Sequence, residues 1–435
     1  MYPDSTSRSA QLFERARKVL PGGNTRLTVF HSPYPNYAVR GEGCYVTDAD
    51  GQTRLDCANN YASLVHGHRH PKVMEAIRKQ MDRIMAVTMP TEAEIALAEE
   101  LCRRLPGVDA IRFANSGSEG VMFALRVARA YTGRSKVAKA EGAYHGSYDS
   151  MDISLDPEPP EWGPDEEPRS VPHGEGIAAP VARETVVVPF NDTDGTERIL
   201  EKHASELAAV IVDVLPARLG FRPAEPEYLR MLREVTRRHG IVLIFDEVIT
   251  FRLGYHGAQG YVGITPDLTT MGKLIGGGFP VGAVGGKREI MDCFDHTGGR
   301  PRVFHSGTFN ANPMTMAAGL ATLELLSEES FQGLESLGDK LRGGMREALR
   351  VAGVPGIVQG RGSLAFLLLG DSKEIRNYRD LATAETNREW TARFHHFLLN
   401  NGIFTAGAQH WILSTPMTEA EIDFILERVL GACAS

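Results

Sequence analysis

Four short stretches place residue types that do chemistry where a folded chain can use them. The first is Asn115-Ser116-Gly117-Ser118-Glu119, between the strand-like IRFA and the helical VMFALRVARA. Small hydroxyl residues at a strand-to-helix turn offer backbone N–H groups, side-chain hydroxyls and the positive end of a helix dipole, which suits a phosphate. The second is Ile241-Val242-Leu243-Ile244-Phe245-Asp246-Glu247-Val248. An apolar run ending in two acids puts a carboxylate at the C-terminal end of a buried strand, where open α/β sheets bind ligands. A carboxylate at that depth requires a cationic partner or a metal. The third is Thr269-Thr270-Met271-Gly272-Lys273, followed by Gly276-Gly277-Gly278. A buried lysine has a lowered pKa and attacks aldehydes. A nucleotide P-loop fails here, because Val281 stands where Gly286-Lys287 would need a glycine and Arg288 follows. The fourth is Gly142-Ala143-Tyr144-His145-Gly146 after VAKA, where an aromatic at a strand end can stack on a planar ring. Each stretch alone also has an ordinary structural reading: a helix cap, an acid capping a turn, a loop lysine, a core tyrosine.

Together the four supply a phosphate cradle, a stacking ring, an acid for a pyridine nitrogen and an amine for an aldehyde. These are the parts of a pyridoxal phosphate (PLP) site. The motifs RFANSGSEGVMFALRVARA, GAYHG, FDEVITFR, TTMGKLIGGGFPVGAVGG and HSGTFNANPM follow one another in a specific order. On them the chain resembles the class III (fold type I) aminotransferases. It is most similar to the subgroup of glutamate-1-semialdehyde aminomutases and β-amino-acid aminotransferases. The resemblance runs from PGGNTR at 21–26 to STPMTEAEID at 414–423. It implies that Lys273 is the Schiff-base lysine and that Asp246 pairs with the pyridinium nitrogen. It further implies that Ser116, Gly117 and Ser118 hold the phosphate, that Tyr144 stacks on the ring with Val248 opposite, and that His145 is among the cofactor contacts. Thr308 would reach the phosphate of a partner subunit, which makes the protein a homodimer with shared active sites. Arg26 matches a carboxylate-binding arginine of the β-amino-acid group. The histidines of His66-Gly67-His68-Arg69-His70 match a Gly-His-x-His-Pro turn, so no metal is expected there.

Three positions depart from the family pattern. Asp213 stands where many members have a glutamate. Ile249 replaces the glutamine of the ornithine and γ-aminobutyrate branch, which favours the aminomutase-like branch. Ala406-Gly407-Ala408-Gln409-His410 lacks the second carboxylate-binding arginine of the β-amino-acid enzymes.

The elements that must position these residues alternate. Strands are expected at 110–114, 136–140, 185–188, 208–214, 241–246, 267–271 and 281–285. Helices are expected at 9–20, 71–84, 91–104, 118–131, 194–205, 226–239, 313–327, 329–352 and 385–400. Strand, helix, strand in succession predicts a mostly parallel sheet covered on both faces. The 37–58 stretch predicts an antiparallel meander turning at Asp50-Gly51, and short strands follow near 356–369 and 403–414. The expected fold is α/β: a large PLP-binding domain over 61–312 with a seven-stranded, mostly parallel sheet, and a smaller α+β domain over 313–435 joined by the segment 1–60. The Pro- and Glu-rich stretch 154–184 reads as a solvated surface excursion in its acidic centre.

The 435 residues carry a net charge of −8, with no basic footprint for nucleic acid. Five scattered cysteines fit reduced thiols, and no apolar run reaches membrane-span length, so a cytoplasmic enzyme is expected. The activity implied by the resemblance is ping-pong transfer of an amino group from an amine or amino acid, β-amino acids included, to a keto acid. The alternatives are an intramolecular 2,1-aminomutase on the same residues and, from another class, a binding protein that has lost catalysis.

Overall fold

The computed structural model describes residues 2–371 and 374–434. Two compact units emerge. The larger comprises Glu75–Phe331 with Ile375–Thr383, and the smaller Met1–Met74, Gln332–Glu374 and Ala384–Ser435. The cuts fall later in the chain than the 60/61 and 312/313 read from the sequence pattern. The helix Pro313–Glu324 therefore stays with the larger unit, where its backbone takes a hydrogen bond from the buried Arg104 at Leu323.

The larger unit is built on seven strands: β1 (Ala110–Ala114), β2 (Lys136–Ala140), β3 (Thr185–Val188), β4 (Leu207–Val212), β5 (Val242–Asp246), β6 (Leu268–Gly272) and β7 (Gly282–Gly286). Their order is β1-β7-β6-β5-β4-β2-β3, and β7 alone runs antiparallel to its neighbours. Every residue of β4, β5 and β6 is buried. Central strands covered on both faces lose the polar alternation of half-exposed ones, hence the unbroken runs LAAVIV and VLIFD. The helix Gly117–Thr132 packs Val121, Ala124, Leu125 and Ala128 into the same core as Ile211 and Ile244. Ser116 caps its start and Gly133, in the left-handed region, ends it. β1, β2 and β3 match the expected ranges, and the ends of β4 to β7 differ from expectation by at most two residues.

In the smaller unit, Ala38–Glu42, Tyr45–Asp48 and Thr53–Asp56 form the expected meander, and Ile403–Phe404 adds in parallel to Thr53–Asp56. A second sheet joins Gly356–Gln359, Leu364–Leu369 and His410–Ile412. Several helices are absent from the sequence reading, most of them of four to six residues, and two of these helices bear on the argument. One is Glu419–Ala434, signalled by Thr418, whose hydroxyl donates to Glu421 at 2.6 Å, and by buried Ile422, Ile425 and Val429 at helical spacing. The other is the short Tyr378–Ala382 of the larger unit.

The acidic centre of the 154–184 stretch is exposed at the surface, as expected. Three of these exposed acids are held by cations of the larger unit: Asp156 by Arg218, Asp165 by Arg379 and Glu167 by Lys202. Among the described residues no helix is long and apolar enough to cross a membrane.

Candidate active site

The C-terminal edge of the large sheet gathers most of the expected residues. Asp246 ends β5, and Lys273 follows β6 directly. Lys273 has φ +50°, a left-handed backbone that costs a non-glycine residue energy and is retained where the surroundings enforce it. Burial lowers the pKa of its amine, while the Asp246 charge pulls the other way. A fraction of free amine is thereby available to bind a carbonyl or take a proton.

Asp246 is buried, and burial alone would raise its pKa. His145 outweighs this by hydrogen bond and charge, helped by the Val248 N–H and the Thr270 hydroxyl, and the carboxyl lies below its usual range. The distances are 2.7 Å from His145 Nδ1 to Oδ2, and 3.1 Å from both Val248 N and Thr270 Oγ1 to Oδ1. An ionised carboxylate only accepts hydrogen bonds, so His145 Nδ1 carries the proton. The partner of the buried carboxylate is therefore a histidine 101 residues away in the chain, part of GAYHG but not linked to Asp246 by any local pattern.

Asp213, one residue past β4, stands beside Asp246 at the next strand end. Burial pushes its carboxyl up to about 8, and the Asp246 charge adds to this against the Leu215 N–H and Lys273. Two neighbouring carboxyls thus hold different protonation states near pH 7, one ionised and one neutral.

At the start of the helix Gly117–Thr132, the Glu119 N–H is taken by Ser116 Oγ and the Gly120 N–H by Ser116 O. The N–H groups of Gly117 and Ser118 have no intrahelical acceptor and suit an anion. A side chain on Gly117 would meet Val248 Cγ2 at 2.9 Å, so the cradle closes on Val248, which also abuts Gly272. The Ser147 N–H donates to Ser118 Oγ at 3.0 Å and draws the turn bearing Tyr144 and His145 against the cradle. Tyr144 is 45% exposed, a free ring face rather than a core residue. Thr308 is exposed, in a turn that Asn310 ties to Asn115 by a 2.9 Å bond. An anion cradle, an ionised acid, an amine and an exposed aromatic make a donor set that fits PLP.

Arg26 belongs to the smaller unit, where its guanidinium donates to Asn60 Oδ1 at 2.8 Å. Asn60 lies in Asn59–Ala62, four successive residues with φ between +46° and +73°. Buried Asn59 pins that turn through the Asp56 and Ile412 carbonyls. Ala408, at the place of the missing arginine, is buried. The histidine cluster is structural: His66 meets Thr415 at 2.8 Å and His68 meets Asp56 at 2.8 Å.

The aminotransferase class-III family model matches residues 29–426. A glutamate-1-semialdehyde 2,1-aminomutase of Methanothermobacter thermautotrophicus is 39% identical over 403 residues, 92% of each chain. Among solved structures, an omega-transaminase from Sphaerobacter thermophilus is 50% identical with a TM-score of 0.96, covering 99% of this chain and 98% of that one. A transaminase with PLP bound is 40% identical, with a TM-score of 0.90 and coverage of 98% and 96%. The likeness extends along the whole sheet and its edge rather than over one motif, and the chain belongs to the class-III aminotransferase family.

Proposed function

We propose that the protein is a PLP-dependent transaminase that moves an amino group from an amine or amino acid to a keto acid in two half-reactions. The observation that carries this reading is Lys273, an amine with a pKa lowered by burial, facing an ionised Asp246 at the C-terminal edge of the sheet. The 50% identity to an omega-transaminase favours transfer between two substrates. The 39% identity to aminomutases supports the second reading, in which one substrate is rearranged and retained.

Bound PLP supplies an aldehyde and an electron-withdrawing pyridinium ring. The residues of the chain do the rest. Gly117 and Ser118 N–H groups bind the phosphate, with the helix dipole behind them. Asp246 holds a proton at the ring nitrogen, and His145 fixes the carboxylate that does so. Tyr144 and Val248 bound the ring faces. Lys273 Nζ takes the proton from the donor carbon and returns it at the neighbouring position, so one group acts as base and then acid. Neutral Asp213 leaves Asp246 as the only anion of the strand-end pair. Thr308 contributes from a partner copy of the chain. Exposed apolar side chains on the same unit, among them Met89, Phe304 and Phe309, support that assembly.

The reading is tested with a panel of α-, β- and ω-amine donors against pyruvate and 2-oxoglutarate. Turnover that requires no added keto acid establishes the aminomutase instead, and the absence of a visible band abolished by borohydride indicates a binding protein. Lys273→Ala should abolish turnover, and Asp246→Asn should retain PLP while slowing single-turnover reaction by about 10²–10³. Wild-type rates in either variant contradict the assigned roles.

Asp213 carries a pH signature. Its folded pKa of about 8 lies above the unfolded value of about 3.9, so between these the folded state holds a proton that the unfolded chain lacks. Its contribution to stability is full below the unfolded value and is lost as pH rises through about 8. Urea unfolding of the cofactor-free protein at pH 5 and pH 9 should show Asp213→Asn gaining stability relative to wild type at the higher pH. A difference independent of pH would mean that Asp213 titrates normally.

Arg26 is proposed to bind a substrate carboxylate. Arg26→Ala should cost about 1.5–3 kcal/mol, roughly 10- to 150-fold in kcat/KM, for an amino acid but not for the matched amine without a carboxylate. An equal loss for both places the clamp elsewhere. Arg218 is already paired with Asp156 at 3.1 Å, and Arg252 is buried. Sedimentation of the active enzyme should give a dimer; a fully active monomer excludes the shared site.

A further inference from the structure

The short helix Tyr378–Ala382 lies in a stretch, Ile375–Thr383, that belongs to the larger unit although the chain before and after it belongs to the smaller one. Two of its side chains reach the end of β2. Arg379 Nε donates to Glu141 Oε2 at 2.7 Å and Nη2 to Glu141 Oε1 at 3.1 Å. The other bonds go to Asp165, to the Gly163 carbonyl at 3.0 Å and to the Trp162 carbonyl at 2.9 Å, and the guanidinium lies 4.9 Å over the Trp162 ring. An arginine has five N–H donors, and each is used. Tyr378 is buried, and its hydroxyl lies 2.9 Å from both Asp156 Oδ1 and the Pro157 carbonyl, which share its one O–H.

Glu141 immediately precedes the turn that carries Tyr144 and His145. Gly142, the next residue, has φ +74°, and a side chain there would meet Tyr378 Cδ2 at 2.4 Å. The Gly142 N–H donates to the Ser154 carbonyl at 2.8 Å. The turn is thus gripped by charge at Glu141 and by contact at Gly142. Four residues after Glu141, His145 holds Asp246. The surface-loop reading of 154–184 and the site motifs do not account for a fully bonded, nearly buried arginine at this point.

We infer that Tyr378 and Arg379 are positioning residues of the PLP site, a role that rests on the function proposed above. They set the turn after β2, the turn sets the His145 imidazole, and the imidazole sets the charge and direction of the Asp246 carboxylate. A misplacement of about 1 Å at such a distance from the chemistry can cost on the order of 10²-fold. Lysine cannot replace Arg379, because it lacks the planar fork that grips both Glu141 oxygens.

The experiment compares wild type, Arg379→Lys, Glu141→Gln and Lys202→Ala. Lys202 fastens the same acidic stretch at Glu167 but does not touch the turn. Two quantities are read: the PLP dissociation constant, and the pH midpoint of the visible band of bound PLP, which reports the electrostatics of the ring. Arg379→Lys should weaken PLP binding about 10- to 100-fold and move the midpoint. Glu141→Gln, which keeps the size and one acceptor, should act in the same direction by a smaller factor. Lys202→Ala should stay within about twofold of wild type. Wild-type affinity and midpoint in both Arg379→Lys and Glu141→Gln overturn the inference, as does an equal loss in Lys202→Ala, which would assign the effect to loop fastening alone. If Arg379→Lys does not fold, Glu141→Gln decides. Wild-type protein that binds no PLP overturns the proposed function and this inference together, whereas failure confined to the variants overturns only the inference.

Discussion

Keeping Asp246 ionised at the buried end of β5 requires compensation from several directions at once. Removing a carboxylate from water costs several kcal/mol unless a cation and hydrogen bonds replace the hydration. Three different elements supply the hydrogen bonds: His145 from the turn after β2, the Thr270 hydroxyl from β6 and the Val248 N–H from the turn after β5. None of the three can move without leaving a buried charge short of a partner. The order β6-β5-β4-β2 is therefore a requirement of the site as well as of the core, because it brings Thr270 and Asp213 to the two sides of Asp246.

The same edge separates charges that would otherwise conflict. Asp213, Asp246 and Lys273 lie close together, and three full charges there would be hard to accommodate. Asp213 gives way by keeping its proton near pH 7. Glu247, next along the chain, shows the structural use of the same residue type. Its carboxylate accepts from the Ala258 and Gln259 N–H groups at 2.7 and 3.2 Å and from the Gln259 side chain at 2.9 Å, holding the helix Gly257–Val262. Two adjacent acids in one motif thus divide their tasks according to the side of the strand on which they fall.

Around this centre, long-range ion pairs tie irregular chain to the sheet. The acidic stretch after β2 would be costly to order alone, since its polar composition offers little to bury. Anchors from Arg218, Lys202 and Arg379 reduce that cost by giving its carboxylates and carbonyls defined partners. Most of these pairs are exposed and individually weak. The Arg379–Glu141 pair differs because both side chains are nearly buried and the bond is bidentate.

Sequence alone determined the elements and the kinds of chemistry. Unbroken apolar runs identified the central strands, because a strand covered on both faces has no polar alternation to preserve. Lys273 among small residues and Asp246 at a strand end were legible for the same local reason. The helix Glu419–Ala434 is also encoded locally, by a capping threonine and helical apolar spacing. Other features could not be read from any local pattern. The partner of Asp246 is 101 residues away and that of Arg379 is 238. The neutral state of Asp213 arises from burial beside another carboxylate, and the left-handed backbones of Lys273 and of Asn59–Ala62 are imposed by their surroundings. Residue type and spacing report what a segment can do by itself. Charge state, tautomer and strain depend on which distant groups the fold brings within about 3 Å, and only the tertiary structure decides that.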